Sequence, residues 1–340
     1  MTVDHRTLLE QLPALLLPWY GENRRQLPWR RDREPYHVWL SEIMLQQTRV
    51  EAVKGYYERF LQVLPTVEAL ANATEDQLLK LWEGLGYYSR VRNLQKAARE
   101  ILEIGSFPTD YKGLLHLSGI GPYTAGAIAS ICFEEPVAAV DGNVIRVLSR
   151  YLGKHIERQE AADSLEPVYP IGNCGDFTQA LMELGATICI PNGTAHCDNC
   201  PLYQLCVARA QGKQSEFPHK KPKKQRRVEY RTVFLLQCGD RLAVCKRPGK
   251  GLLAGMWQFP DTEGHLSMSE AFSLATQWGV VPQSPVLELE REHIFTHVEW
   301  KLRGIWLNCD NMPPDLQWYS REEIEESIGL PTAYRQFLDV

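Results

Sequence analysis

The chain has 340 residues, 44% of them hydrophobic, which is enough for about two domains with buried cores. No stretch approaches the ~18 apolar residues of a membrane span, and the charged first ten residues do not resemble a secretory signal, so we expect a cytoplasmic protein. The net charge of −5 divides into −5 for residues 1–212, +6 for 213–231 and −6 for 232–340, so the local basic segment could still bind a polyanion.

Residues 1–212 are predicted to be mostly helical and to form an all-α domain. Apolar residues recur at helical spacing over 36–50 and again over 78–85. Short breaks that contain Gly or Pro separate the segments, at 64–66, 83–86 and 107–109. Thr66 and Thr74 each occupy an N-cap-like position before a helical run.

The composition changes at residue 213. Residues 213–230 contain two prolines and a run of basic residues, which indicates a solvated linker; such a run can also contact phosphates. Beyond it, we expect a small α+β domain. Its predicted strands are 232–237 and 242–246 as a hairpin, 286–295 and 298–307 as a second pair, and 316–319. Its predicted helices are 269–278, 321–327 and 332–338.

Four of the nine cysteines lie close together in the sequence: Cys189, Cys197, Cys200 and Cys206. In a reducing compartment a metal site explains such a group better than disulfides do. Four thiolates can hold a 4Fe–4S cluster or a tetrahedral zinc ion, and the spacing alone favours neither.

The segment LSGIGPYTAG at 117–126 is a second candidate site. Gly119 and Gly121 allow the backbone to approach a ligand closely, and amides at the start of the following helix can face a phosphate. The alternative is an ordinary turn between two helices.

Two carboxylates are candidates for catalysis. Asp141 precedes a helical run and is therefore first of all an N-cap, although a capping carboxylate can also face a developing cation. Glu42 borders the apolar face formed by Val38, Trp39 and Leu45. It is either a surface residue or a desolvated carboxyl whose raised pKa would make it a proton donor near neutral pH.

Taken together, these motifs resemble the endonuclease III-like superfamily of base-excision glycosylases, and within it the MutY-type adenine glycosylases. The matching segments are LPWR at 27–30, WLSEIMLQQT at 39–48, GLGYYSR at 84–90, GIG at 119–121, DGN at 141–143, and the four cysteines. The resemblance runs from about residue 8 to residue 340. It implies a 4Fe–4S cluster, held by those cysteines. Seven residues separate Cys189 from Cys197, one more than in the family pattern, within a PNGT stretch that can bulge outward.

The resemblance also implies roles for individual residues. Glu42 would protonate adenine and later assist water, and Asp141 would stabilise the oxocarbenium-like sugar, with Tyr123 and Asn143 positioning both groups. Trp29 and Arg30 would line the pocket for the flipped adenine. The residues expected around the oxidised guanine are Gln47, Thr48, Leu85, Gly86 and Tyr87, with Tyr87 as a wedge between bases. Gly119 and Gly121 would grip one DNA strand.

Position 123 distinguishes branches of the superfamily. Relatives that also nick the strand carry a lysine there, whereas Tyr123 cannot form a Schiff base, so we expect a monofunctional glycosylase. The last domain resembles a Nudix module, with a strand predicted at 252–260. Its acidic box is absent, because the helix at 269–278 offers only Glu270, so Mg²⁺-dependent hydrolysis is not expected. Thr296 and His297 would contact the oxidised guanine, the alternative being ordinary hairpin polarity.

The expected architecture is multidomain. An all-α helix-hairpin-helix glycosylase domain with an iron–sulfur cluster loop spans 1–212, followed by a basic linker at 213–230 and a small α+β Nudix-like domain at 231–340. Within the first, 31–139 would form a six-helix barrel and 1–30 plus 140–212 the cluster subdomain. The expected partner is double-stranded DNA with adenine opposite 8-oxoguanine or guanine, bound by a bacterial, nucleoid-associated monomer without membrane contact.

Three other functions stay open at this point. One is a bifunctional glycosylase/lyase for oxidised pyrimidines, disfavoured by Tyr123 and by the additional C-terminal domain. Another is a DNA-binding protein that has lost catalytic activity. The presence of both Glu42 and Asp141 argues against it. The third is a Nudix hydrolase with a helical appendage.

Overall fold

The computed structural model describes residues 4–219 and 225–339, and these form two compact units. The first unit comprises Met1–Asn72 and Asn93–Lys221, and the second comprises Ala73–Arg92 and Pro222–Val340. The second unit therefore includes a segment, 73–92, that lies within the helical part of the sequence. The domain limits expected from the sequence remain predictions. The lysines of the basic run, at 220–224, lie outside the described residues.

Residues 4–219 are helical, as predicted, and no strand occurs among the residues described there. The α-helices are α1 His5–Glu10, α2 Leu12–Asn23, α3 Pro35–Leu45, α4 Val50–Val63, α5 Val67–Asn72, α6 Glu75–Leu81, α7 Ser89–Ile104, α8 Tyr111–Leu115, α9 Pro122–Phe133, α10 Gly142–Leu152, α11 Arg158–Leu165, α12 Cys174–Thr187 and α13 Val207–Ala210. None of the described helices is both long and apolar enough to cross a bilayer.

Side-chain caps set several helix starts. The Thr74 hydroxyl accepts from the Gln77 amide at the start of α6, and Thr66 accepts from Ala69 before α5, which confirms both predicted N-terminal signals. Asp141 caps α10 through the amide of Val144. The apolar faces of α1, α2, α10, α11 and α12 form one continuous core of the first unit.

The second unit contains a mixed seven-stranded sheet. Its strands are β1 Arg227–Cys238, β2 Arg241–Lys246, β3 Trp257–Gln258, β4 Asp261–Glu263, β5 Pro282–Ile294, β6 Val298–Cys309 and β7 Gln317–Ser320. The order is β3-β2-β1-β6-β5, with β4 paired to β1 and β7 to β2. The predicted hairpins β1–β2 and β5–β6 are antiparallel, whereas β1 and β6 are parallel.

Alternation along β1 gives this sheet two buried faces. Val233 and Leu235 lie in a core with α15 (Arg321–Ser327) and α16 (Thr332–Arg335), whereas Phe234 and Leu236 pack with α14 (Met268–Gln277). The unit thus has helices on both sides of its sheet, in agreement with the predicted α+β module.

Two predicted elements are wrong in extent. The strand expected at 252–260 is reduced to β3, because Gly251, Leu253 and Gly255 all have positive φ and form a turn that no extended strand can contain. The helix expected at 332–338 ends at Arg335 and continues as a turn.

Close packing of α9 against α12 depends on Gly175. A Cβ built on this residue would lie 2.9 Å from the Ile131 Cα atom and 3.1 Å from its carbonyl oxygen. Gly175→Ala should therefore lower the free energy of unfolding by about 1–3 kcal/mol through overpacking. Gly55→Ala on α4 is the control, since its Cβ would meet nothing within 4 Å, and it should stabilise by about 0.5–1 kcal/mol. Thermal melts measure both; equal effects would contradict the packing argument.

Candidate active site

The first unit contains a pocket of about 680 Å³. It lies among the ends of α3, α9, α10 and α12 and the 3-10 turn Pro28–Arg30. The predicted residues that line it are Trp29, Arg30, Glu42, Gln47, Thr48, Gly119, Gly121, Tyr123, Asp141 and Asn143. Ten positions spread over more than a hundred residues of sequence are thus brought to one cavity.

Glu42 lies on α3 and is only 7% exposed. Burial raises the pKa of its carboxyl from 4.5 to about 7; the negative charge of Asp141 acts in the same direction, whereas a hydrogen bond from Tyr123 and the charge of Arg30 oppose it. The open question of whether Glu42 is a surface residue or a desolvated one is thereby answered. A carboxyl with this pKa can exchange a proton near neutral pH.

Tyr123, in the first turn of α9, holds the Glu42 carboxyl. Its hydroxyl donates a hydrogen bond of 2.6 Å to Oε2 of Glu42. Burial raises the Tyr123 pKa well above 10, and the negative charges of Glu42 and Asp141 add to this effect, so the phenol keeps its proton. The bond leaves Oε1 of Glu42 as the oxygen available for a ligand.

Asp141 is the N-cap of α10 and lines the same pocket. Oδ1 accepts from the Val144 amide at 2.8 Å, and Oδ2 accepts from Nδ2 of Asn143 at 2.7 Å. The capping and site interpretations therefore coexist. Arg146, 7% exposed, donates to Oδ1 of Asn143 at 2.8 Å and to the Cys189 carbonyl at 2.7 Å, so α10 connects the pocket to the cysteine loop.

Glu183 of α12, which the sequence did not predict as a site residue, is 1% exposed and lines the pocket. Its carboxylate accepts 2.6 Å and 2.8 Å bonds from the Arg25 side chain and a 2.8 Å bond from Arg30. Burial alone would raise the pKa of Glu183, but the hydrogen bonds and charges of the two arginines prevail and lower it to about 2. A lone acid within the apolar run ALMELGAT was the available signal.

Backbone geometry shapes the rim of the pocket. Gln47 has φ of +59°, a left-handed conformation that is costly for a residue with a side chain and recurs at functional sites. Gly119 has φ of +77° in the predicted hairpin between α8 and α9. A Cβ built on Gly121, the N-cap of α9, would meet nothing within 4 Å, so this glycine leaves open space for a ligand.

The other predicted site residues belong to the second unit. Leu85, Gly86 and Tyr87 form a turn before α7, and Thr296 and His297 form the tip between β5 and β6. The Tyr87 hydroxyl and Oγ1 of Thr296 are 2.6 Å apart, so the two segments are in contact. Tyr87 is 44% exposed.

The four clustered cysteines line one small cavity of about 30 Å³. Nη1 of Arg150 lies 3.4 Å from Sγ of Cys189, and Nε2 of Gln214 lies 3.8 Å from Sγ of Cys197. The stretch 191–194 is exposed, and the His196 amide closes the loop onto the Ile188 carbonyl at 3.0 Å. The PNGT stretch therefore lies on the surface.

Comparisons with known proteins give consistent matches. Residues 40–168 match the model of the HhH-GPD superfamily of base excision DNA repair proteins, and residues 232–340 match that of the NUDIX domain. The adenine DNA glycosylase of Rattus norvegicus is 35% identical over 402 residues, covering 96% of this chain and 77% of the rat protein. That of Buchnera aphidicola subsp. Schizaphis graminum is 36% identical, covering 96% and 97%. A solved thermostable thymine-DNA glycosylase is 28% identical, with a TM-score of 0.56, covering 61% of this chain and 97% of its own.

The opposite pKa shifts of Glu42 and Glu183 predict opposite effects of neutralising them. Folding raises the Glu42 pKa from 4.5 to about 7, so this group costs stability as the pH rises through that window, and Glu42→Gln removes the cost. Folding lowers the Glu183 pKa from 4.5 to about 2, so its stabilising effect is present above 4.5 and is lost as the pH falls towards 2.

The melting temperature of Glu42→Gln minus that of wild type should therefore increase as the pH rises from about 4 to about 8. Glu183→Gln should be less stable than wild type at neutral pH, with a deficit that shrinks in acid. Melting curves of the three proteins across this range measure both. Parallel pH profiles for the two variants would refute the opposite shifts.

Proposed function

Because the chain belongs to the adenine DNA glycosylase family, which excises adenine from DNA in base excision repair, we propose that it acts on adenine opposite 8-oxoguanine or guanine. The reaction is hydrolysis of the N-glycosidic bond of a nucleotide turned out of the duplex. The buried Glu42–Tyr123 pair, which faces the pocket that Asp141 also lines, is the observation that carries the proposal.

Glu42 acts as the general acid. With a pKa of about 7, a large fraction of its carboxyl groups carries a proton near neutral pH, and this proton passes to N7 of adenine as the bond to the sugar breaks. The resulting carboxylate keeps the hydrogen bond from Tyr123, which stabilises its charge. It then accepts a proton from the water that attacks the sugar.

Asp141 acts on the sugar. Departure of adenine leaves an oxocarbenium-like cation, and a carboxylate at the pocket wall stabilises that charge by Coulomb attraction. The amide of Val144 and the side chain of Asn143 each donate to one oxygen of this carboxylate, which fixes its orientation. Asn143 is therefore a positioning residue.

The base pocket is built from Trp29, Arg30 and Glu183. Trp29 is 7% exposed and offers an apolar wall, with its ring 5.5 Å from that of Tyr57 in an edge-on arrangement. Arg30 is fixed by Glu183, which presents a carboxylate next to guanidinium N–H groups. Adenine exposes alternating donors and acceptors, so a fixed acid–arginine pair is suited to its polar edge.

Recognition of the opposite base belongs to three short segments. Gln47 and Thr48 line the pocket of the first unit, and in the second unit the turn with Leu85, Gly86 and Tyr87 contacts the tip with Thr296 and His297. Each segment has the role towards the guanine left behind that the family resemblance implies. An exposed tyrosine ring can insert between base steps because its face stacks on any neighbour. Gly119 and Gly121 hold the phosphate backbone through main-chain amides.

The cysteine site suits a 4Fe–4S cluster held by Cys189, Cys197, Cys200 and Cys206. All four thiols line one cavity, and nitrogen atoms of Arg150 and Gln214 lie within hydrogen-bonding distance of two of the sulfurs, where they would stabilise the charge of thiolates that hold a cluster. Among the described residues, no three His, Cys, Asp or Glu side chains converge on one metal ion. The chemistry of four thiolates suits either zinc or a cluster, so the family resemblance is what supports the cluster. When bound, it supplies a cross-link of residues 189–206 or a redox centre.

The decisive experiment uses a duplex with one adenine opposite 8-oxoguanine, sampled with and without hot alkali. We expect strand cleavage at the adenine after alkali only, because Tyr123 cannot form a Schiff base. Glu42→Gln should lower the single-turnover excision rate by at least about a hundredfold, since general acid catalysis contributes about 10²–10⁴-fold. Its affinity for the mismatch should stay close to that of wild type.

Glu134→Gln is the matched control, because Glu134 is a carboxylate of the same unit at the C-terminus of α9, away from the pocket lining. It should excise adenine as wild type does. An active Glu42→Gln variant would remove Glu42 from the acid role. Cleavage without alkali at the rate of base release would contradict the monofunctional assignment.

Metal analysis tests the cluster. Protein purified without air should contain iron and acid-labile sulfide, with visible absorbance, rather than stoichiometric zinc. Cys200→Ser should lose most of the iron, whereas Cys132→Ser, whose thiol lies outside the cysteine cavity, should keep it. Zinc in place of iron, or equal iron in both variants, would refute the assignment.

A further inference from the structure

Residues 84–87 form a strained turn, called here the wedge turn. Gly84, Gly86 and Tyr87 have φ of +93°, +68° and +48°. The two glycines adopt this region at little cost, but a tyrosine does so only where the surrounding structure enforces it. The Tyr87 ring is nevertheless 44% exposed, so its own burial does not explain the conformation.

Arg90, in the first turn of α7, makes several of the contacts that hold the wedge turn. Nη2 of Arg90 donates to the carbonyl of Leu85 at 3.1 Å and to that of Gly86 at 3.2 Å, and the Arg90 amide donates to the Tyr87 carbonyl at 2.9 Å. One side chain thus fixes two consecutive peptide groups of the wedge turn. A guanidinium presents several N–H groups in one rigid plane, which lysine cannot do.

The guanidinium also lies between two aromatic rings. Its central carbon is 5.4 Å from the ring centre of Trp82 and 5.4 Å from that of Tyr87. Trp82 is fully buried, and its Nε1 donates to the Gly86 carbonyl at 3.1 Å. The arginine therefore connects the buried ring of Trp82 to the exposed ring of Tyr87. Burial lowers the pKa of Arg90 to about 10, which means that desolvating this cation costs free energy.

We propose that Arg90 is a positioning residue that holds the wedge turn in its strained form and so presents the Tyr87 ring for insertion between bases. The inference rests on the proposed function, which makes Tyr87 the wedge. A ring that is already held in place loses little further conformational entropy when it inserts. Arg90 then acts through Tyr87, without touching the reacting atoms.

The test compares Arg90→Lys and Arg90→Gln with Arg99→Lys in the full-length, cluster-containing protein. Lysine keeps the charge but loses the planar fork, and glutamine keeps amide donors without a buried charge. Arg99 lies on the same helix, and its Nε donates to the Ala71 carbonyl at 3.0 Å, so the control loses an arginine–carbonyl bond elsewhere. Circular dichroism establishes which variants fold.

Single-turnover excision rates are measured on two duplexes, with adenine opposite 8-oxoguanine or opposite a tetrahydrofuran abasic-site analogue. The analogue has no base to unstack, so excision from that duplex depends less on the wedge. The ratio of the first rate to the second should fall about tenfold in the Arg90 variants, as expected when a strained conformation loses its support, and should not fall in Arg99→Lys. In a Tyr87→Ala background, Arg90→Lys should cause no further fall.

Other outcomes overturn the proposal. An unchanged ratio in a folded Arg90 variant shows that the wedge does not depend on this arginine. Equal losses on both duplexes, an additional loss in the Tyr87→Ala background, or failure of both variants to fold would assign Arg90 to general stability. Wild-type protein that excises adenine from neither duplex would instead refute the proposed function, and this inference with it.

Discussion

Burial of the Glu42 carboxyl group is the condition on which the site depends. Two glutamates that line the pocket are almost inaccessible to solvent. Their carboxyl pKa values differ because they bond to different numbers of arginines. Glu183 accepts from Arg25 and Arg30 and stays ionised, whereas Glu42 accepts from the neutral phenol of Tyr123 and keeps a pKa of about 7. Because both guanidinium groups are bonded to Glu183, their positive charge lowers the pKa of Glu183 far more than that of Glu42. A pocket with this division can donate a proton and still bind a polar base.

The sequence predicts those parts of the site whose cause is local. Capping by Asp141 follows from its position before a helix, and the hairpin around Gly119 follows from its glycines. Helical periodicity placed Glu42 at the border of an apolar face but could not give its depth, because depth depends on the packing of α9 through Tyr123, 81 residues away. Glu183 was missed for a similar reason, since its arginine partners are 158 and 153 residues distant in the chain.

In the last domain, hairpins were predictable because alternation and turn residues are short-range signals, and the pairs β1–β2 and β5–β6 are where they were expected. The parallel pairing of β1 with β6 has no such local signal. The apolar run at 252–260 resembled a strand, but positive φ angles at Leu253 and Gly255, and at Gly251 just before the run, make its first part a turn. A leucine rarely adopts a positive φ, so the folded environment imposes this conformation on Leu253. The residue type alone could not predict it.

The membership of residues 73–92 in the second unit means that the two units do not follow the order of the chain. Lys80 donates to the carbonyls of Ile324 and Ile328 at the end of α15, and Glu83 pairs with Arg335 at 2.8 Å. A helix that lies within the helical part of the sequence thus contributes part of the surface against which the C-terminal part of the chain packs. Exchange of C-terminal modules between relatives would have to bring a matching helix with it, and a chimera joined only at the linker would leave those partners mismatched.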